Sequence, residues 1–154
     1  MATTFKWASL GVTRTLIRNA TSLSALGNAA FAGLSAAITN STGLYQYIDL
    51  ELFVKVQGSA RTAGGYVSIY INQSLDAFTT GEDSGNTAFT NQVLCTFQLD
   101  AATTARRLII SNIPIPPLDF KLDVYNNTGQ VFATDTNDAT GSTLYYALHN
   151  EQGV

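Results

Sequence analysis

The sequence predicts an all-β protein, a sandwich or barrel of about eight to ten short strands. Three observations predict it. Residues 118–125 alternate strictly, with Leu118, Phe120, Leu122 and Val124 on one side and Asp119, Lys121, Asp123 and Tyr125 on the other. Successive side chains of a strand point to opposite faces, so this is a strand with one buried face and one wet face. Turn signals rich in Gly, Asn, Ser and Thr recur at intervals of roughly 8–12 residues. Charged residues make up 12% of the chain, about half the usual share. Thr, Ser, Asn, Gln and Gly replace them, a mix that suits strands and turns better than surface helices.

Each element follows from its local pattern. Residues 4–9 read as a short strand with Phe5 and Trp7 on one face, and 12–18 as a second strand or part of an extended arm. Residues 20–39 are ambiguous. Leu23, Leu26, Ala30, Leu34 and Ala37 are spaced three or four apart, a helical stripe. Gly27-Asn28 and Gly33 interrupt it, and an interior Gly costs a helix ~1 kcal/mol relative to Ala. We read 22–26 as a turn and 30–38 as a strand, with a helix across the segment as the alternative. Residues 40–43 form a turn. A long strand covers 45–56, with Ile48, Leu50, Leu52, Val54 and Val56 inward and Tyr45, Tyr47, Asp49, Glu51, Phe53 and Lys55 outward. Residues 58–65 are a loop. In the strand 66–72, Val67, Ile69 and Ile71 face in, while Tyr66, Ser68 and Tyr70 face out. The stretch 75–91 is the longest irregular segment, and long loops are often functional. Strands follow at 93–99 and, after a turn at 101–104, at 106–110. Pro114, Pro116 and Pro117 remove three backbone donors, so they set the start of a strand or lie on an edge. Residues 118–125 and 130–134 read as a β-hairpin joined by Asn126-Asn-Thr-Gly129. A last strand covers 144–149.

The 154 residues suit one domain. Eight basic and eleven acidic residues give a net charge of −3. The basic residues are scattered, which argues against tracking a phosphate backbone. No stretch reaches the ~18 apolar residues of a membrane span, and no signal peptide is apparent, so synthesis in a reducing cytoplasm is expected. Cys95 is the only cysteine and reads as a buried filler. His149 is the only histidine, which leaves nucleophile–histidine catalysis and multi-histidine metal sites without material. Two carboxylates suffice for glycoside hydrolysis, and Asp49 with Glu51 and Asp119 with Asp123 share strand faces, but both pairs read as solvated outer surface. Glu82, Asp83 and Asn86 offer oxygen ligands without the alternating acidic spacing of a calcium loop. The expectation is therefore no enzyme, no cofactor and no metal. Tyr45, Tyr47, Tyr66 and Tyr70 are outward aromatics, suited to cross-strand pairing or to an interface.

Several stretches, taken in order, resemble a family of small tailed-bacteriophage virion proteins. They are Ser24-Ala-Leu-Gly-Asn28, Ala36-Ala-Ile-Thr-Asn-Ser-Thr42, Asp49-Leu-Glu-Leu52, Thr62-Ala-Gly-Gly-Tyr-Val-Ser-Ile-Tyr70 and Leu75-Asp76. Thr103-Thr-Ala-Arg-Arg107, Ile113-Pro-Ile-Pro-Pro117, Phe120-Lys-Leu122 and Asn126-Asn-Thr-Gly-Gln130 complete the set. The resemblance implies a capsid decoration (cement) protein: a single antiparallel, jelly-roll-like β-sandwich, commonly trimeric, bound to the major capsid protein on the head surface of a virion. The family has no catalytic motif to carry over. On this reading residues 1–18 form an N-terminal arm or edge strands and 19–154 the sandwich. Phe5, Lys6, Trp7, Arg14 and Arg18 are then the candidate capsid or subunit contacts, and Glu82, Asp83 and Asn86 a candidate loop contact. A carbohydrate- or receptor-binding module of a tail or head fibre, with surface glycans as partner, is the second reading. Neither needs nucleic acid or a membrane.

Overall fold

The computed structural model describes residues 14–55, 57–76 and 92–150. Eight strands and one short helix are laid out as β1 (Thr15–Arg18), α1 (Ala20–Leu23), β2 (Ala30–Phe31), β3 (Tyr47–Val54), β4 (Tyr66–Ser74), β5 (Gln92–Gln98), β6 (Arg106–Pro114), β7 (Asp119–Asn127) and β8 (Thr143–His149). They form two antiparallel four-stranded sheets. Sheet A has the order β1-β8-β3-β6 and sheet B the order β2-β7-β4-β5. Consecutive strands change sheets at every step except β4 to β5.

One hydrophobic core joins the two sheets. Sheet A contributes Ile48, Leu50, Leu52, Val54, Ile113 and Leu144; sheet B contributes Val67, Ile69, Ile71, Phe97, Phe120, Leu122 and Val124. The period-2 pattern places them there. Every second residue of β3 is buried, as the apolar set 48, 50, 52 and 54 requires. Leu23 of α1 and Phe132 belong to the same core. Asn19 caps α1, its side chain accepting from the Ser22 N–H at 2.8 Å.

The proline segment lies on an edge. β6 is the last strand of sheet A, and Pro114 is its final residue. Its missing donor therefore costs no ladder bond. A bulge sets two β6 residues against Asp49, because Ile48 pairs with Ile113 while Leu50 pairs with Ile110. Asn112 takes a φ of 58° there, and its N–H donates to Asp49 at 2.8 Å.

Three expectations are corrected. Residues 30–38 are neither a regular strand nor a helix. Only Ala30–Phe31 pairs as strand, and Ile38 makes an isolated bridge to Phe120. Yet the segment follows the outer edge of β7 throughout. The N–H groups of Ala29, Ala32, Ser35 and Ile38 donate to the carbonyls of Asn126, Val124, Leu122 and Phe120. It spends three residues for every two of β7.

Residues 130–134 form no strand, so the expected hairpin is absent. The reason is occupancy: both edges of β7 are already filled, by β4 on one side and by the 29–38 segment on the other. The chain instead turns inward. Phe132 is buried and its N–H donates to Leu26 at 3.0 Å. Asn126 fixes the turn, its amide donating to Leu26 at 3.0 Å and Gln130 at 2.8 Å, while its carbonyl accepts from Thr128.

The outer face of β7 is not wet. Asp119 and Asp123 are buried, the latter only 1% exposed. Three residues against two leave donors of β7 and of its neighbour without backbone carbonyls, and buried donors must be satisfied. Side chains do it. The Leu122 N–H donates to Ser35 Oγ at 3.0 Å, and the Val124 N–H donates to Asp123 at 2.8 Å. Asp119 accepts from the N–H groups of Asn40 and Ser41, both at 2.8 Å.

Candidate contact faces

The outer face of sheet A is a charged lattice over rings. β3 presents Tyr47, Asp49, Glu51 and Phe53; β8 presents Tyr145 and His149 beside them, because Glu51 pairs with Tyr145 and Tyr47 with His149. Glu51 receives both Arg14 and Arg107. Arg14 lies 4.3 Å from the centre of the Tyr145 ring and Arg107 5.2 Å from that of Phe53, both within cation–π range. Asp49 accepts from Asn112 and lies 3.1 Å from His149 Nε2. The His149 ring stacks on Tyr47 with centres 5.6 Å apart. Between these groups is a shallow depression of about 110 Å³ lined by Arg14, Glu51, Ile109 and Tyr145 among others. Ile109 is 62% exposed.

The outer face of sheet B carries rings instead of ions. Phe31 stands 5.3 Å from Tyr70 and 4.6 Å from Tyr125, and Tyr70 meets Tyr125 edge-on at 6.3 Å. Burial among them, with Tyr66 and Tyr125 nearby, raises the Tyr70 phenol above its usual pKa. At the end of this face two turns meet around a depression of about 310 Å³ lined by Asn28, Thr62, Ala63, Gly64, Gly65, Asn127 and Gly129.

Charges placed inside the fold serve the fold. Arg18 is 9% exposed, and its Nε and one Nη meet no acceptor among the described residues. Desolvation lowers its pKa, and the charge of Asp123 opposes that shift. For Asp123 burial wins, raising its pKa despite the Val124 N–H and Arg18. Arg61 is buried and donates to the Asp100 carboxylate at 2.9 Å and the Thr104 carbonyl at 3.0 Å, pinning the turn before β6. Arg106 and Arg61 together hold Asp100 below the usual carboxylate range. Lys55 donates to Asp135 at 2.5 Å; with the Asn137 N–H and Thr140 it pulls that pKa far down. Cys95 packs against the core, and burial pushes its thiol pKa up to about 12.

The candidate contacts therefore part company. Arg14 and Tyr47 sit on the outer face of sheet A and Tyr66 and Tyr70 on that of sheet B, while Tyr45, expected in the strand, lies in the irregular stretch before β3. Arg18 is interior. Phe5, Lys6, Trp7, Glu82, Asp83 and Asn86 lie outside the described residues. Sequence reasoning missed Phe31, Tyr125, Tyr145, Ile109 and Arg107. On the outer face of sheet A, Arg107 meets Arg14, which arrives from just before β1, far away in sequence. Among the described residues no three His, Cys, Asp or Glu side chains gather to hold a metal ion, and no helix is long and apolar enough to cross a membrane. No family model, curated protein or solved structure matches the chain.

Proposed function

We propose that this chain is a non-enzymatic virion structural protein, a decoration protein that binds the major capsid protein on the outside of a tailed-phage head. The observation that carries the reading is the outer face of sheet A. Arg14, Arg107 and Glu51 fix one another over Phe53 and Tyr145, with Ile109 exposed beside them. Such a surface is ordered before contact, so little side-chain entropy is lost on binding, and Arg and aromatic residues are the ones that anchor interfaces. Asp49 and Glu51 are engaged with His149, Asn112 and two arginines, as members of a surface lattice. The finer fold reading is a jelly roll, supported by the alternation of consecutive strands between sheets and by β1 pairing with β8. Double-sheet folds of that kind serve capsids and lectins alike, so the fold does not choose between them. Assembly as a homotrimer belongs to the same proposal, with weak contacts summing over a repeating lattice.

The test is to mix the purified protein with heads that lack it and count bound copies. Ile109→Asp should abolish binding and Tyr70→Ala should leave it intact; full occupancy by Ile109→Asp would sink the proposal. A sedimentation mass of one chain would sink the trimer. A second reading, a carbohydrate- or receptor-binding module, is favoured by the Phe31, Tyr70 and Tyr125 cluster on the opposite face.

A further inference from the structure

The depression at the end of sheet B has features that the ring cluster alone does not explain. It lies where the 62–65 turn meets the turn after β7. The Thr62 N–H donates to Thr128 at 2.8 Å, and the Gly129 N–H donates to Asn28 Oδ1 at 2.8 Å. Glycine is what allows the two turns to close. A Cβ on Gly129 would collide with the Thr62 side chain, and one on Gly65 would lie 2.9 Å from the Thr62 carbonyl. A Cβ on Gly64 would meet nothing within 4 Å, so that side is open. The walls are thus bare backbone with a few short polar side chains.

The chemistry of those side chains narrows the ligand. None of the lining residues is ionisable. Thr62, Asn28 and Asn127 line this space, and the Thr62 hydroxyl, the Asn28 Nδ2 and the Asn127 carboxamide make no hydrogen bond to another described residue. The depression therefore holds unspent donors and acceptors together, with no net charge. That suits a ligand whose own groups both donate and accept, as hydroxyls do. Tyr66 pairs in register with Asn127 across β4 and β7, so their Cβ atoms are about 5 Å apart on the same face and Tyr66 borders the depression. Farther along that face come Tyr70, Tyr125 and Phe31. The walls are more polar than those of a usual small-ligand site, and the volume of about 310 Å³ is at the small end of the range for such sites.

From this juxtaposition we infer that the depression between Asn28, Thr62, Gly64 and Asn127 binds a neutral saccharide, with Tyr66 beneath the sugar's C–H face. The inference rests on the saccharide-binding reading given above and assigns it a place. The probe is an array of neutral hexose oligosaccharides, with sialylated and phosphorylated sets as charged comparisons, followed by titration of the best neutral binder. Asn127→Ala and Tyr66→Ala should each weaken binding at least tenfold, and Ala63→Leu, at an exposed wall position, should do the same by filling the space. Glu51→Gln, on the other sheet, should bind as the parent does, and melting curves should show all four variants folded. Silence across the array overturns the saccharide reading itself. Binding that survives Asn127→Ala and Ala63→Leu within twofold but is lost in Tyr70→Ala overturns the pocket and leaves the reading standing. Preference for the charged sets overturns the neutral assignment.

Discussion

β3 and β7 carry the same kind of alternation, yet their outer faces differ. On β3 the outer residues Tyr47, Asp49, Glu51 and Phe53 are partly exposed and tied to one another across the surface. On β7 Asp119 and Asp123 are buried; Asp119 is tied to the N–H groups of Asn40 and Ser41, and Asp123 to the N–H of Val124 on its own strand. The difference lies in the neighbour. β3 is flanked by β8 in unbroken register and by β6, whose ladder breaks only at the bulge opposite Asp49. β7 is flanked on one side by a segment that keeps pace at three residues to two. Where the register holds, a carboxylate such as Glu51 meets other side chains; where it breaks, at the β6 bulge as beside the 29–38 segment, a carboxylate such as Asp49 or Asp119 completes the backbone.

Several measurements would break or sharpen that contrast. The largest effect should come from Phe120→Ala. Phe120 is fully buried and its backbone bridges Ile38, so the loss should be about 3–5 kcal/mol by urea unfolding. It should also raise hydrogen exchange along 29–38 more than along β3. Next is Asp119→Ala, which strands the Asn40 and Ser41 N–H groups at a cost of about 2 kcal/mol near neutral pH. Those N–H groups hold the Asp119 pKa below its ordinary value, so this contribution is present above the unfolded pKa. It disappears as pH falls through the folded pKa, and the two unfolding curves should converge in acid. Asp123 has the opposite sign. Its pKa is raised by burial, so its term favours folding below the unfolded pKa and is lost as pH rises through the folded one. Stability of the parent measured across the acid range should show both slopes.

Glu51→Gln should cost less, under about 1 kcal/mol, because Arg14 and Arg107 are half-exposed. That small loss should shrink further in 1 M salt, where the Debye length is about 3 Å, whereas the Asp119→Ala loss should not. The smallest effect belongs to Cys95. With its thiol pKa pushed up to about 12, it should resist iodoacetamide at pH 8 in the folded protein and react once urea unfolds it.

The regular strands were legible because alternation and burial are the same fact seen twice: Ile48, Leu50, Leu52 and Val54 could face only one way. The edge position of Pro114 followed equally from its missing N–H. The 30–38 path was not legible, since its period comes from pairing with β7 and not from its own residues. Nor was the missing hairpin: Asn126-Asn-Thr-Gly129 does turn the chain, but whether a partner edge is vacant is a property of the whole sheet. The contact faces were half-visible. Outward Tyr47, Tyr66 and Tyr70 could be read from parity, but Phe31 joins Tyr70, and Arg14 joins Arg107, through strands far apart in sequence.

The pairing of Thr15 with Tyr146 bears on how the molecule comes into being. The centre of sheet A, β3, is flanked by β6 and β8, so a nascent chain holds β3 with both edges open until residues 106–149 have left the ribosome. In sheet B, the 29–38 segment must likewise wait for β7. Of all consecutive strands, β4 and β5 alone can pair as each emerges. High contact order of this kind places folding in the millisecond-to-second range. Until β8 closes sheet A, the greasy face of β3 is the segment of the nascent chain most in need of a chaperone.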